Sequence, residues 1–306
     1  MVYHFLDNED ELESLLWKVC RLFDVPKLIN GTNSKQQIID YYRTNKISQL
    51  LYDRDGFFHF GISYYSKHKR SDFKEPARLV ESYFSTVNAR HVLELASGLG
   101  ANSAFLARRN PNILFDAIDL TNKPLLYNKK SPNVSFRICD FHNLSTLPEN
   151  FYDLVFVIES LCCSTDKPRV LKEVKKRLRP GALFIVVDGY KRERAKEFSQ
   201  LEEFLWELVE KSLSCDRIES VIGVESYMEK EFAIIDRRDF SQNVLPSMMR
   251  LNFIVRFYFD NPSFARVVNA LVPFEILRNC IHLLLLPISI RREIGCYYLH
   301  VLKKTE

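Results

Sequence analysis

Glycine and proline are scarce, at 9 and 12 residues in a chain of 306. That scarcity excludes a collagen-like or linker-rich chain. A content of 46% apolar and 27% charged residues excludes a disordered one. A strong charge of one sign is also missing. The formal net charge of +4 is small and spread out, so it gives no footprint for nucleic acid. None of the seven cysteines (Cys20, Cys139, Cys162, Cys163, Cys215, Cys280, Cys296) pairs with another at C-x-x-C spacing, and no His stands at zinc-finger distance from one. They read as reduced, buried thiols of a cytoplasmic protein. Long apolar runs are absent too. The longest, residues 281–290, is too short to span a bilayer and contains Pro287. The first residues turn acidic by Asp7 and do not read as a signal peptide, so a soluble chain without stable membrane insertion is expected.

What is present is aromatic and apolar. With 23 Phe and 14 Tyr, the chain has enough aromatic surface for a pocket lining, although a plain core accounts for it as well. The length suits one large α/β domain with a cap, or two modest domains.

The first third reads as helical. Residues 8–23 carry Leu12, Leu15, Leu16, Val19 and Leu22 on one stripe. After the turn cluster at Gly31, Asn33 or Ser34 can cap a second helix over about 35–51. The glycine-bracketed aromatic segment 53–61, which includes DGFFHFG, reads as a loop, and residues 76–86 as a helix. From there five apolar runs recur at 91–95, 114–118, 134–138, 154–158 and 183–187. Their hydrophobicity is continuous rather than alternating, the mark of parallel strands covered on both faces. A helix over 166–179 separates the last two, with Val170, Leu171, Val174 and Leu178 inward and Pro180-Gly181 ending it. Its lysines and Arg177 read as a solvated face. A long helix over 192–213, a strand at 232–235, an apolar helical stretch over 250–286 broken at Pro262 and Pro273, and a closing strand at 294–301 complete the chain.

The turn Glu94-Leu95-Ala96-Ser97-Gly98-Leu99-Gly100 carries the chemistry. Small residues at the end of the first parallel strand let a backbone approach a ligand closely, and the next helix offers N–H groups at its start. A dinucleotide fingerprint needs a third glycine, where this chain has Ala101, Asn102 and Ser103. Glu94 would repel a pyrophosphate, yet a carboxylate there suits a cationic ligand such as S-adenosylmethionine. Asp119 at the end of the second strand can take both ribose hydroxyls. Asp140 after the third can accept from the adenine amino group, with Phe141 against the ring.

The chain resembles the class I S-adenosylmethionine-dependent methyltransferases, and within them the sterol and tocopherol small-molecule branch. The resemblance rests on ELASGLG (94–100), YDLVFVIESLCCSTD (152–166), LKEVKKRLRPGALFIVVD (171–188) and DFSQNVLP (239–246), with DGFFHFG similar to a cofactor-closing segment. It covers about residues 75–306. It implies a doubly wound Rossmann-like sheet of seven strands, mostly parallel with an antiparallel last strand. An N-terminal helical cap over 1–75 would precede a domain over 76–306, with a helical insertion at about 250–290. It implies S-adenosyl-L-methionine as cofactor, held by Glu94, Ala96, Gly98, Gly100, Asp119, Leu120, Asp140 and Phe141. Two positions depart from the family pattern: Ala96 where it has Gly, and Cys163 where that branch has His.

In-line methyl transfer needs positioning, desolvation and a base when the acceptor loses a proton, and no metal. No His/carboxylate cluster stands at ligand spacing. His59 and Glu159 are the candidate bases, each with a structural or cofactor-holding role as the competing reading. Tyr64, Tyr65 and Cys163 are candidate acceptor contacts. Cys162-Cys163 falls where some nucleic-acid cytosine methyltransferases have a nucleophile, but Leu161 replaces the Pro those enzymes place before it. The apolar stretch over 253–286 reads as a lid over an apolar pocket, or as a homodimer interface or ordinary core. A lid implies a lipid-like or aromatic small-molecule acceptor. A nicotinamide-dependent oxidoreductase is disfavoured by Glu94 and the missing third glycine. A scaffold that keeps the fold without catalysis stays open.

Overall fold

Each continuous apolar run after residue 90 becomes a strand; those at 91–95, 154–158 and 183–187 are buried on both faces, whereas the run at 134–138 forms an edge strand that is mostly exposed, contrary to expectation. A computed structural model describes residues 9–31, 35–45, 52–121 and 131–305. The strands are β1 (His91–Leu95), β2 (Leu114–Asp119), β3 (Val134–Ile138), β4 (Tyr152–Ile158), β5 (Leu178–Lys191), β6 (Phe232–Asp239) and β7 (Gly295–Lys304). They form one seven-stranded sheet in the order β3-β2-β1-β4-β5-β7-β6. The first five run parallel, and β7 is antiparallel to both β5 and β6. The doubly wound sheet with an antiparallel last strand is as the sequence implies. In β5, Leu183, Ile185 and Val187 enter one core while Ala182, Phe184 and Val186 enter the other. Every such fully buried aliphatic side chain is worth ~1.5–3 kcal/mol.

Among the described residues, three helices lead the chain: α1 (Glu9–Leu22), α2 (Val25–Asn30) and α3 (Lys35–Thr44). The α1 stripe Leu12, Leu15, Leu16 and Val19 is buried, at helical spacing. Asp24 caps α2 by accepting from Lys27 N at 3.1 Å. The expected cap of α3 at Asn33 or Ser34, and its continuation beyond residue 45, lie outside the described residues. Then come α4 (Glu75–Glu81), α5 (Ala101–Arg109), α6 (Lys167–Arg177), α7 (Gln200–Ser212) and α8 (Val221–Glu231). Asp166 caps α6 through Arg169 N at 3.0 Å.

The helix expected over 192–213 starts eight residues late, as α7. Ser199 and Glu202 form a reciprocal capping box, with Ser199 N donating to Glu202 Oε2 at 2.9 Å and Glu202 N to Ser199 Oγ at 3.3 Å. The residues ahead of that cap extend β5 to Lys191 and then form a loop.

Between β6 and β7 stand α9 (Ser241–Met249), α10 (Asn252–Asp260), α11 (Pro262–Leu271), α12 (Phe274–Leu277) and α13 (Asn279–Arg291). The breaks fall at Pro262, which opens α11, and Pro273, which precedes α12. α13 packs on α7, and α1 on both α10 and α13, so the leading helices and the inserted ones form one layer at the carboxyl edge of the sheet. Among the described residues, no helix is long and apolar enough to cross a membrane.

Candidate active site

The strand order reverses between β1 and β4, and ligands of doubly wound sheets bind in the crevice at that point. The backbone is strained on both sides of it. Ala96, directly after β1, and Glu159, directly after β4, both have a φ of +50°, a left-handed conformation that alanine and glutamate rarely adopt. Such strain gathers at ligand-binding sites, where surrounding contacts over-determine it.

After β1 the chain turns through Ser97, Gly98 and Gly100 into α5. Gly98 has a φ of +55° and nothing within 4 Å of where a Cβ would stand, so it faces open space. Gly100 is different. A Cβ there would lie 2.2 Å from the Phe136 ring, so its hydrogen lets β3 close under the turn. Glu94 is buried and does not reach the cavity surface. Its carboxyl accepts from Asn102 Nδ2 at 3.1 Å, Ser103 N at 3.0 Å and Ser103 Oγ at 2.5 Å, which pins the first turn of α5. Burial pushes its pKa up to about 7, against those hydrogen bonds. Glu94 and Gly100 thus shape the turn after β1 from behind the residues that line the cavity.

Asp119 closes β2 with both carboxylate oxygens engaged. Oδ2 accepts from Gly98 N at 2.8 Å, and Oδ1 from Thr121 N and Oγ1, each at 2.8 Å. A carboxylate has about four lone-pair sites, so capacity remains toward the cavity that Asp119 lines. Asp140 Oδ1 accepts from His142 N at 3.0 Å and stands 2.8 Å from His142 Nδ1, while His142 Nε2 reaches Ser164 Oγ at 2.8 Å. Ala96, Gly98, Leu120 and Phe141 line the same cavity, so the structure brings six of the eight expected cofactor residues together.

Glu159 lines the cavity. Its Oε1 accepts from Phe60 N at 2.7 Å and from Tyr297 Oη at 2.8 Å. Burial pushes its pKa up to about 8, so it carries a proton at neutral pH. His59 is buried between two oxygens, with Nδ1 3.0 Å from the Phe60 carbonyl and Nε2 3.1 Å from Asn102 Oδ1. Burial lowers its pKa, against the two hydrogen-bond partners that raise it. Asn102 thus joins His59 to Glu94, a link the sequence reading missed. It also missed Tyr297 and Asp188. Asp188 is wholly buried and holds the turn after β4 by accepting from Ser160 N at 3.2 Å and Cys162 N at 2.9 Å.

The cavity measures about 1120 Å³. Its end at the sheet edge is polar, with Asp119, Asp140, Glu159, Asp166 and Asp188 against Arg169 as the one Lys or Arg among its described lining residues. The other end is walled by Met248, Leu251, Val255, Leu283 and Leu286 from the inserted helices. Two expectations are corrected. Tyr64 and Tyr65 do not line it. They are 56% and 70% exposed, in a solvent-facing turn where Lys69 lies over the Tyr65 ring. Cys163 does line it, but as a disulfide with Cys215 rather than as a reduced thiol. The Cys162, Cys163 and Cys215 sulfurs lie within 4.8 Å of one another, a cluster hidden by 52 residues of separation.

With this geometry in place, a family model described as a methyltransferase domain matches residues 93–186, from β1 into β5. That match spans under a third of the chain and shows a likeness to the family over this segment. The matched segment holds the turn after β1 and all the expected cofactor residues. A demethylmenaquinone methyltransferase of Thermotoga maritima is 32% identical over 117 residues, 38% of this chain and 50% of that protein. The chain spans half or less of the length of the curated relatives it matches. Among solved structures, a protein assigned as a sarcosine dimethylglycine methyltransferase from Galdieria sulphuraria superposes with a TM-score of 0.70 at 13% identity, over 87% of this chain and 98% of that one. The cyclase SpnF superposes at 0.67 and 17% identity, over 90% and 97%. Methyltransferases and a cyclase share this fold, so the chemistry of this chain has to be argued from its cavity.

Proposed function

We propose that the protein transfers the methyl group of S-adenosylmethionine to a small apolar or aromatic acceptor. The observation that carries this reading is the two-ended cavity, acidic at the sheet edge and apolar under the inserted helices. Carboxylates at the strand ends favour a cationic nucleoside ligand and oppose a pyrophosphate. Asp119 and Asp140 would hold the ribose and adenine, with Phe141 and Leu120 against the ring. The strained turn at 96–98 brings backbone close to the rest of the ligand. When bound, S-adenosylmethionine supplies a methyl group already activated by its sulfonium, so the transfer needs no Lewis acid.

The chain's own residues then position and desolvate. Met248, Leu251, Val255 and Leu286 exclude water from the acceptor end. Glu159, protonated at neutral pH, donates a hydrogen bond or, after losing its proton, takes one from the acceptor. Both His59 nitrogens face oxygens, so His59 acts by holding the 57–60 loop against α5. An acceptor with a fused-ring or long-chain body, as in the sterol and tocopherol branch, fits the apolar end. The described residues ahead of residue 76 serve in this reading as a cap over the cavity, which Tyr41, Tyr52 and Phe57–Phe60 help to line.

The test is transfer of labelled methyl from S-adenosylmethionine into separate pools of sterols, phenols and quinols, and of amino acids and amines. Label in the first pool is the expected result. Label only in the second would overturn the apolar acceptor.

A further inference from the structure

The helices that wall the acceptor end also present a large apolar face to the outside. On α10, Phe253 and Phe257 stand one turn apart, and Phe253 is 80% exposed. The Phe257 ring meets Phe264 of α11 at 5.3 Å, which joins the two helices into one surface. Phe264, Val267 and Leu271 continue it along α11 at i, i+3 and i+7, and Leu271 is 77% exposed. α11 is ten residues long, yet Ala265 is its one buried residue. Val268 of this helix packs against the core, but among the described residues the Phe264, Val267 and Leu271 face is left exposed, and an apolar face of that kind calls for a partner.

Charge and position indicate what that is. Over residues 241–291 the chain carries Arg250, Arg256, Arg266, Arg278 and Arg291 against Asp260 and Glu275; of these, Arg250 donates to the Tyr52 carbonyl, Arg256 and Arg291 pair with Glu11, and Arg278 donates to the Ser212 carbonyl. Asp260 is paired with Lys18 at 2.7 Å, and Arg266 is exposed on α11 itself. The apolar face is also continuous with the pocket. Ile254, on the same turn as Phe253 and Phe257, is 64% exposed and at the same time lines the cavity. A mouth rimmed by apolar helices, with the exposed cation of Arg266 beside it, matches an anionic lipid interface, where an amphipathic helix buries its apolar side among acyl chains and its cation meets lipid headgroups.

We propose that the α10–α11 face seats the protein on an anionic lipid surface, with the acceptor cavity opening into that contact. The acceptor then enters from the bilayer through the mouth at Ile254. That delivery step rests on the acceptor pocket argued above, whereas the lipid contact itself does not.

The test is flotation of the full chain with phosphatidylcholine vesicles, with and without phosphatidylglycerol, in the absence of cofactor. The expected result is partitioning that requires phosphatidylglycerol and is lost at high salt. Phe253→Ser/Phe257→Ser should lower it roughly tenfold or more, and Arg266→Glu roughly fivefold or more. These positions are exposed, so melting temperature and S-adenosylhomocysteine binding should stay at the parent values. Absence of partitioning, or partitioning indifferent to both variants, would overturn the proposal. So would a dimer in vesicle-free solution that the same substitutions dissolve, because the face would then belong to a second copy. S-adenosylhomocysteine titration of the same preparations separates the two readings. Flotation without cofactor-product binding overturns the methyltransferase assignment alone, and binding without flotation overturns the lipid surface alone.

Discussion

Tyr297 Oη donates to Glu159 Oε1 at 2.8 Å, tying the middle of the closing strand to the strained residue at the end of β4. The hydrogen bond favours the ionised carboxylate while burial opposes it, and burial prevails. Tyr297→Phe removes the favourable side, so the Glu159 pKa should rise further. The alkaline-side midpoint of the pH–rate profile should move up by about one unit, since a hydrogen bond to a charged group is worth ~1.5–3 kcal/mol. An unchanged midpoint would separate Glu159 from the titrating step.

Asp119 joins the turn after β1 to the end of β2 and faces the cavity. Asp119→Asn keeps the shape and one acceptor but loses the charge and the second acceptor. S-adenosylhomocysteine binding should weaken at least roughly tenfold, about 1.4 kcal/mol, and the melting temperature should also fall, because the amide nitrogen would face Gly98 N or Thr121 N in place of an acceptor. Calorimetry on the variant checks it, and undiminished affinity would remove Asp119 from the cofactor site.

Glu94 and Glu159 both have folded pKa values raised above the ordinary carboxyl value, to about 7 and about 8. Each binds more protons folded than unfolded between pH ~4.5 and those values, so unfolding free energy falls as pH rises through that window. The ligand-free protein should lose on the order of a few kcal/mol per group from pH 5 to pH 8. Urea melts across that range measure it, and Glu159→Gln should flatten the upper half of the slope. Stability that rises over the same interval would contradict the burial of both protons.

The Cys163–Cys215 bond closes a loop with a sequence separation of 52. On the chain-entropy account such a closure is worth about 4 kcal/mol. Dithiothreitol should lower the melting temperature of the parent protein and leave Cys215→Ser unmoved. Equal effects on both, or no effect on either, would mean that the bond does not constrain the chain in solution.

Gly100→Ala places a methyl against the Phe136 ring at a φ of +78°. A destabilisation of roughly 1–3 kcal/mol is expected from overpacking and from the left-handed backbone together. Gly98→Ala meets open space and should mainly weaken ligand binding. Paired melts and titrations of the two variants distinguish the packing glycine from the ligand-facing one.

The core strands are legible because residues 154–158 and 183–187 are apolar without interruption, a pattern of strands covered on both faces. The three acids at strand ends are legible for the same reason, since strand ends can be counted once strands are known. The start of α7 was readable but passed over: Ser199-Gln200-Leu201-Glu202 is a capping-box pattern. Other features had no local signal. Tyr297 meets Glu159 across 138 positions, and Cys163 meets Cys215 across 52. Such pairings follow from sheet order and helix packing, which no window of residues contains. Tyr64 and Tyr65 failed in the opposite way, because aromatic content alone does not say which rings face solvent.

The most direct measurement is calorimetric titration of the purified chain with S-adenosylhomocysteine, with NAD and NADP as controls. Micromolar binding of S-adenosylhomocysteine alone is the expected result of an acid-lined, phosphate-excluding cavity. Binding of NAD or NADP in its place, or of none of the three, would contradict the methyltransferase assignment.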